Sequence, residues 1–150
     1  MIEVRIWAIV GMKGAGKTTA VRYLAAKGLP KVTNEVDALV EIRNLFAAGK
    51  REIVLDGVES WKDYIDLKRE FPGQMKTIAI VAPRVVRWRR LAKDTTKDLT
   101  RLEVRECDRI EIEEMGIGEM VVAADAYVYN NGEVGDLQKR LEIAMEEARK

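Results

Sequence analysis

Eight consecutive residues, Gly11-Met12-Lys13-Gly14-Ala15-Gly16-Lys17-Thr18, satisfy the spacing G-x-x-x-x-G-K-[ST] in full. Glycines at these positions let the backbone wrap an anion with its amide hydrogens turned inward. A helix opening near Lys17 adds its positive end to the same point. In such a loop Lys17 reaches the β- and γ-phosphates of a nucleotide, and the Thr18 hydroxyl ligates Mg²⁺. Thr19 extends the site by one residue. A magnesium ion held between phosphates also needs an acid at the end of a neighbouring strand. Asp56, closing the run Ile53-Val54-Leu55, is the candidate, and an Asx turn into Gly57 is the competing reading. Asp125, before the last strand, reads as a helix-end or turn residue.

The composition restricts the chemistry further. The chain has 150 residues, a net charge of +1, no histidine and a single cysteine, Cys107. This excludes a zinc site of ordinary ligands, a disulfide framework and any His-based acid–base relay. Phosphoryl transfer needs none of these, because it rests on positioning and charge stabilisation. No apolar run approaches the roughly 18 residues of a membrane span. The amino terminus carries Glu3 and Arg5 inside its apolar stretch, unlike a secretory signal. A cytoplasmic setting is expected, with no membrane and no nucleic-acid partner.

These residues must be positioned by a scaffold, and the hydrophobic pattern supplies one. Residues 2–10, 52–56, 77–82 and 126–130 read as strands, the first three as short apolar runs of the kind buried on both faces. Lys31–Val32 is too short to claim as a fifth. Helices are expected over 18–27, 34–48, 59–70, 84–92, 98–115 and 118–124, and from about 134 to the end. In the second of these Val36, Leu39, Val40, Ile42, Leu45 and Phe46 form the apolar positions. Alternating strands and helices imply an α/β fold of three layers, with a small parallel sheet of four to five strands between helices. No repeat or linker divides the chain, so a single domain is expected.

Arginines concentrate in one region. Residues 84–109 contain nine basic and five acidic residues, whereas 111–150 contain four and ten. Arg101, Arg105 and Arg109 share one helical face, and Arg87 and Arg90 stand three apart. Arginine's planar fork suits bidentate phosphate recognition, but helix pairs such as Arg109 with Glu113 would give a solvated ionic face instead. Trp7, Trp61 and Trp88 read as packing residues, as do Cys107 and Met115.

Together with the loop, the segments LDG (55–57), RWRRL (87–91), DR (108–109) and GIGEMVVAADAYVYNNG (116–132) resemble a family. It is that of the small archaeal adenylate-kinase-related, dephospho-CoA kinase-like proteins within the nucleoside monophosphate kinase group. The resemblance implies a P-loop NTPase fold with sheet order 2-3-1-4-5, ATP and Mg²⁺ as cofactors, and phosphoryl transfer to a nucleotide-type acceptor. It implies a helical lid over about 84–109 that brings arginines, here Arg87, Arg90 and Arg109, to the transferring phosphate beside Lys17. It also makes Asn130, Asn131 and Gly132 candidate contacts to the adenine. Three departures fall on the acceptor side. The chain passes quickly from Gly28 to the helix at 34–48 and lacks the family's acidic-then-arginine pair near the second strand. Glu59 stands about where the family places an arginine, and the lid stretch 93–97 lacks one. An ATP-binding module with little or no turnover, acting as a regulatory or partner subunit, is therefore the alternative. Neither a monomer nor a homodimer is indicated.

Overall fold

The computed structural model of the chain describes residues 3–93 and 99–150. Five strands form one parallel sheet: β1 (Arg5–Val10), β2 (Lys31–Thr33), β3 (Glu52–Asp56), β4 (Met75–Val81) and β5 (Ala126–Tyr129), in the order β2-β3-β1-β4-β5. Seven helices connect and follow them: α1 (Lys17–Ala26), α2 (Ala38–Ala47), α3 (Trp61–Glu70), α4 (Arg84–Lys93), α5 (Arg101–Glu113), α6 (Ile117–Val122) and α7 (Val134–Arg149). The fold is the expected α/β architecture.

Alternation along β1 divides the core. Ile6, Ala8 and Val10 pack with Ile42 of α2, Tyr64 and Leu67 of α3, and Ile117 and Met120 of α6. Trp7 and Ile9 point to the other face, against Val21 and Leu24 of α1 and Leu141 and Met145 of α7. Successive strand side chains face opposite ways, so β1 must be apolar throughout to be buried on both faces. It is, with Ile6 through Val10 at most 1% exposed.

Two expectations change. The segment too short to claim is strand β2, pairing Lys31 with Val54, Val32 with Leu55 and Thr33 with Asp56. Only Val32 of its three residues is buried, so it has almost no hydrophobic pattern of its own. The helix expected over 34–48 is shorter, and of its apolar positions only Ile42, with Ala38, is buried. Val36 is fully exposed and Val40 58% exposed, because α2 flanks a three-residue edge strand that can cover only one line of side chains.

Candidate phosphate-binding site

β1 lies between β3 and β4, and the chain leaves it at the carboxyl end of the sheet, where connections part to either side. Open α/β sheets form their ligand crevice at such a point. The loop from Gly11 to Gly16 occupies it. Gly11 is required there, because a Cβ on it would lie 2.4 Å from the backbone oxygen of Ile80 in β4. Gly16, with φ +114°, precedes the first turn of α1, and a Cβ on it would meet the Asn130 side-chain nitrogen at 2.3 Å. Inside the loop the Ala15 amide donates to the Met12 carbonyl at 3.0 Å.

Three side chains hold the loop from outside. Asn130, at the end of β5 and nearly buried, donates from Nδ2 to the Ala15 carbonyl at 2.8 Å. Its own amide continues the sheet by donating to the Val81 carbonyl. Arg90 donates from Nη1 to the Gly14 and Ala15 carbonyls at 3.1 and 3.2 Å, and from Nη2 to the Asn130 carbonyl at 2.7 Å. Partial burial lowers its pKa from the usual arginine value. Arg87 donates to the Ala82 and Lys13 carbonyls at 3.1 and 3.4 Å. Its guanidinium also grips Asp108 of α5 with two bonds, at 2.6 and 2.9 Å. Arg84 adds a third bond to Asp108 at 3.0 Å. Burial opposes ionisation of Asp108, but the bonds from Arg87 and then Arg84 outweigh it and hold the carboxyl below its ordinary value.

The loop opens into a cleft of about 890 Å³. Lys13, Gly14, Gly16, Lys17, Thr18 and Thr19 line it, together with Asp56 from the end of β3. The structure thus brings Lys13, Gly14, Gly16, Lys17, Thr18 and Thr19 into one space with the candidate metal acid, while Gly11, Met12 and Ala15 shape the loop without lining the cleft. Among the described residues no three His, Cys, Asp or Glu side chains cluster as a metal cage. The pair Thr18 and Asp56 matches the other mode, in which Mg²⁺ takes one or two protein oxygens and completes its shell with phosphate and water.

The other candidates fall elsewhere. Arg90 lines the cleft but is engaged with backbone carbonyls, and Arg87 is buried against Asp108. Arg109 does not line the cleft; it is paired on the surface with Glu106 and Glu113. Asn130 bears on the loop, while Asn131 and Gly132 are exposed and outside the cleft lining. Of the stretch expected to form the lid's polar break, residues 94–97 lie outside the described residues. Arg101 covers the Trp88 ring, 4.3 Å from its centroid. Asp125 is a turn residue, accepting from the Thr77 amide at 2.7 Å.

The cleft also contains residues that sequence reasoning did not select. Arg22 comes from α1 and Thr33 from the end of β2. Glu59 follows β3, and Cys107, Ile110 and Glu111 form one face of α5. Met115 and Ile117 close the far side. Glu111 touches the loop directly, its Oε1 accepting from the Lys13 amide at 3.0 Å. The spacing 107, 110, 111 is a helical face, but nothing in sequence distinguishes it from the arginine face beside it.

No protein-family model matches the chain. It is 29% identical over 173 residues to the UPF0200 protein of Sulfurisphaera tokodaii, an alignment covering 95% of this chain and 96% of that protein. Among solved structures it is similar to shikimate kinase from Bacteroides thetaiotaomicron. There the TM-score is 0.62 and the identity 15%, over 98% of this chain and 99% of that one. An unliganded sugar kinase from Janibacter sp. gives a TM-score of 0.63 at 16% identity, covering 97% and 96%. The chain therefore has the fold of P-loop kinases. That is broader than the adenylate and dephospho-CoA kinase subgroup suggested by its motifs.

Proposed function

We propose that the chain is a Mg-ATP-dependent phosphotransferase that phosphorylates a hydroxyl group of a small molecule. The observation that carries this reading is the convergence of Lys17, Thr18 and Asp56 on one cleft beside a glycine loop whose carbonyls are tied back by Arg90 and Asn130. In the transfer, the bond between the γ-phosphorus and the β–γ bridging oxygen breaks, and a bond from the acceptor oxygen to that phosphorus forms. ADP leaves, and the hydroxyl proton passes to water. Lys17 and the loop amides balance charge on the phosphates; Thr18 and Asp56 would hold a magnesium ion, which would supply further positive charge to the phosphate oxygens. The resemblance to the nucleoside monophosphate kinase group favours an acceptor with a nucleoside part, and the apolar residues Ile110, Met115 and Ile117 are suited to such a surface.

A second reading, ATP binding without turnover, is supported by the engagement of Arg87 and Arg109 with carboxylates, which leaves neither guanidinium for a transferring phosphate. One set of measurements separates the two. Calorimetric titration with Mg-ATP should show binding that Lys17→Ala abolishes while circular dichroism stays unchanged. A coupled assay should then show ADP formation that depends on an acceptor. Binding with no acceptor-dependent ADP selects the second reading, and ATP affinity unaltered by Lys17→Ala refutes both.

A further inference from the structure

We infer that the acceptor is neutral or positively charged, carrying no phosphate or carboxylate, and that Glu59 and Glu111 enforce this; the inference rests on the phosphotransfer reading above. It comes from the way charge is divided across the cleft. The cations in the lining are Lys13, Lys17, Arg22 and Arg90, all on the phosphate loop, α1 or α4. The facing wall, built from the end of β3, α5 and the turn into α6, contributes Asp56, Glu59 and Glu111 and, among the described residues, no cation. Asp56 would be matched by a magnesium ion held there with Thr18. Among the described residues Glu59 and Glu111 take part in no ion pair, and Glu111 is fixed at the mouth of the loop by its bond to the Lys13 amide.

The helix that forms this wall has arginines but turns them away. Arg105 is exposed and does not line the cleft, and Arg109 is pinned by Glu106 and Glu113. What α5 presents instead is Cys107, Ile110 and Glu111. Proteins that bind an anionic acceptor group place a guanidinium fork or a lysine against it. An acceptor phosphate held against this wall would approach two carboxylates with no cation among the wall's described residues, an arrangement that rejects ligands by like-charge repulsion. A hydroxyl compound with an apolar or ring portion meets Ile110, Met115 and Ile117 without that opposition, and an ammonium group would gain from the same carboxylates.

Matched pairs of acceptors test this. Adenosine against AMP, glycerol against glycerol phosphate and ethanolamine against glycolate are each assayed for acceptor-dependent ADP with Mg-ATP. The uncharged or cationic member of any productive pair should have the higher kcat/KM, by at least about tenfold. Glu59→Gln combined with Glu111→Gln should narrow that preference, chiefly by lowering KM for the anionic member. An anionic member turned over better than its partner overturns the inference and leaves the phosphotransfer reading intact. A preference unchanged in the double variant overturns the role of the two carboxylates. If no member yields ADP above the acceptor-free rate, the phosphotransfer reading falls and this inference with it.

Discussion

Asp108→Asn isolates the contact on which the site's scaffold depends. Asp108 and Arg87 are paired through two bonds with side chains only 3% and 7% exposed, so neither charge has water to fall back on. Arg84, whose side chain is 57% exposed, adds little. Breaking a buried pair by removing one partner costs about 3–5 kcal/mol, because the remaining charge stays buried without compensation. For a chain of this size each kcal/mol lowers Tm by about 2–4 °C, so the variant should melt roughly 6–20 °C lower. Replacing both members, Arg87→Met with Asp108→Leu, should recover most of that loss, since a well-packed apolar pair is often neutral relative to an ion pair. Urea titrations of the wild type, both single variants and the double variant give the coupling directly. The pH dependence has a definite sign. The folded carboxyl is held below its unfolded value, so its contribution is complete above about pH 4 and disappears as pH falls through the folded value. Asp108→Asn should therefore flatten the acid limb of the stability curve. A loss below about 1 kcal/mol, or an acid limb identical to wild type, would refute the reasoning.

Three further outcomes follow from the site. Asp56→Asn should reduce Mg²⁺-dependent turnover more than it reduces nucleotide affinity, measured as kcat against the Kd for Mg-ATP, because the residue acts on the metal. Asn130→Ala removes a buried bond to the Ala15 carbonyl, which Arg90 still holds, and should cost about 0.5–1.5 kcal/mol in urea unfolding and weaken ATP binding. Gly16→Ala sets a Cβ 2.3 Å from the Asn130 side chain at φ +114°; it should weaken ATP binding in calorimetry, and Asn130→Ala in the same chain should relieve the clash but not the backbone strain.

Much of the scaffold was legible because its strands are buried on both faces and therefore appear as unbroken apolar runs. Residues 6–10, 53–55 and 78–81 announce themselves in this way. β2 does not, since three residues with one buried valine carry no period. α2 misleads too, the exposed Val36 just before it and Val40 within it imitating a wider buried face. In the site, the phosphate loop was legible because its glycines answer local backbone demands. The partners of the arginines were not. Asp108 stands between Cys107 and Arg109 in a charged helix and looks like a surface residue, yet it pairs with Arg87 twenty-one positions away. Asn130 has the position of a base contact, and nothing in its surroundings in sequence signals that its amide reaches a loop carbonyl. Helical spacing identifies a face, and only packing decides what it meets.

The arginines drawn to carbonyls still bear on phosphate binding, through the geometry of the peptide bond. In a trans peptide the carbonyl and the following amide hydrogen point in opposite directions. Arg87 on the Lys13 carbonyl therefore turns the Gly14 amide to the other side of the loop, and Arg90 with Asn130 on the Ala15 carbonyl does the same for the Gly16 amide. Between them, the Ala15 amide is kept by the Met12 carbonyl and is not offered outward. The Gly14 and Gly16 amides are thus oriented before any anion arrives, so binding need not spend free energy ordering them. Arg87 and Arg90 hold loop carbonyls in this structure, and on the phosphotransfer reading proposed above they would act on phosphate through the loop. The Arg87–Asp108 pair extends the same constraint to α5, whose Glu111 accepts from the Lys13 amide. The phosphate loop and α5 are in this way tied to one another through a buried ion pair and a backbone contact, which is why loss of Asp108 should be felt in both stability and ATP affinity.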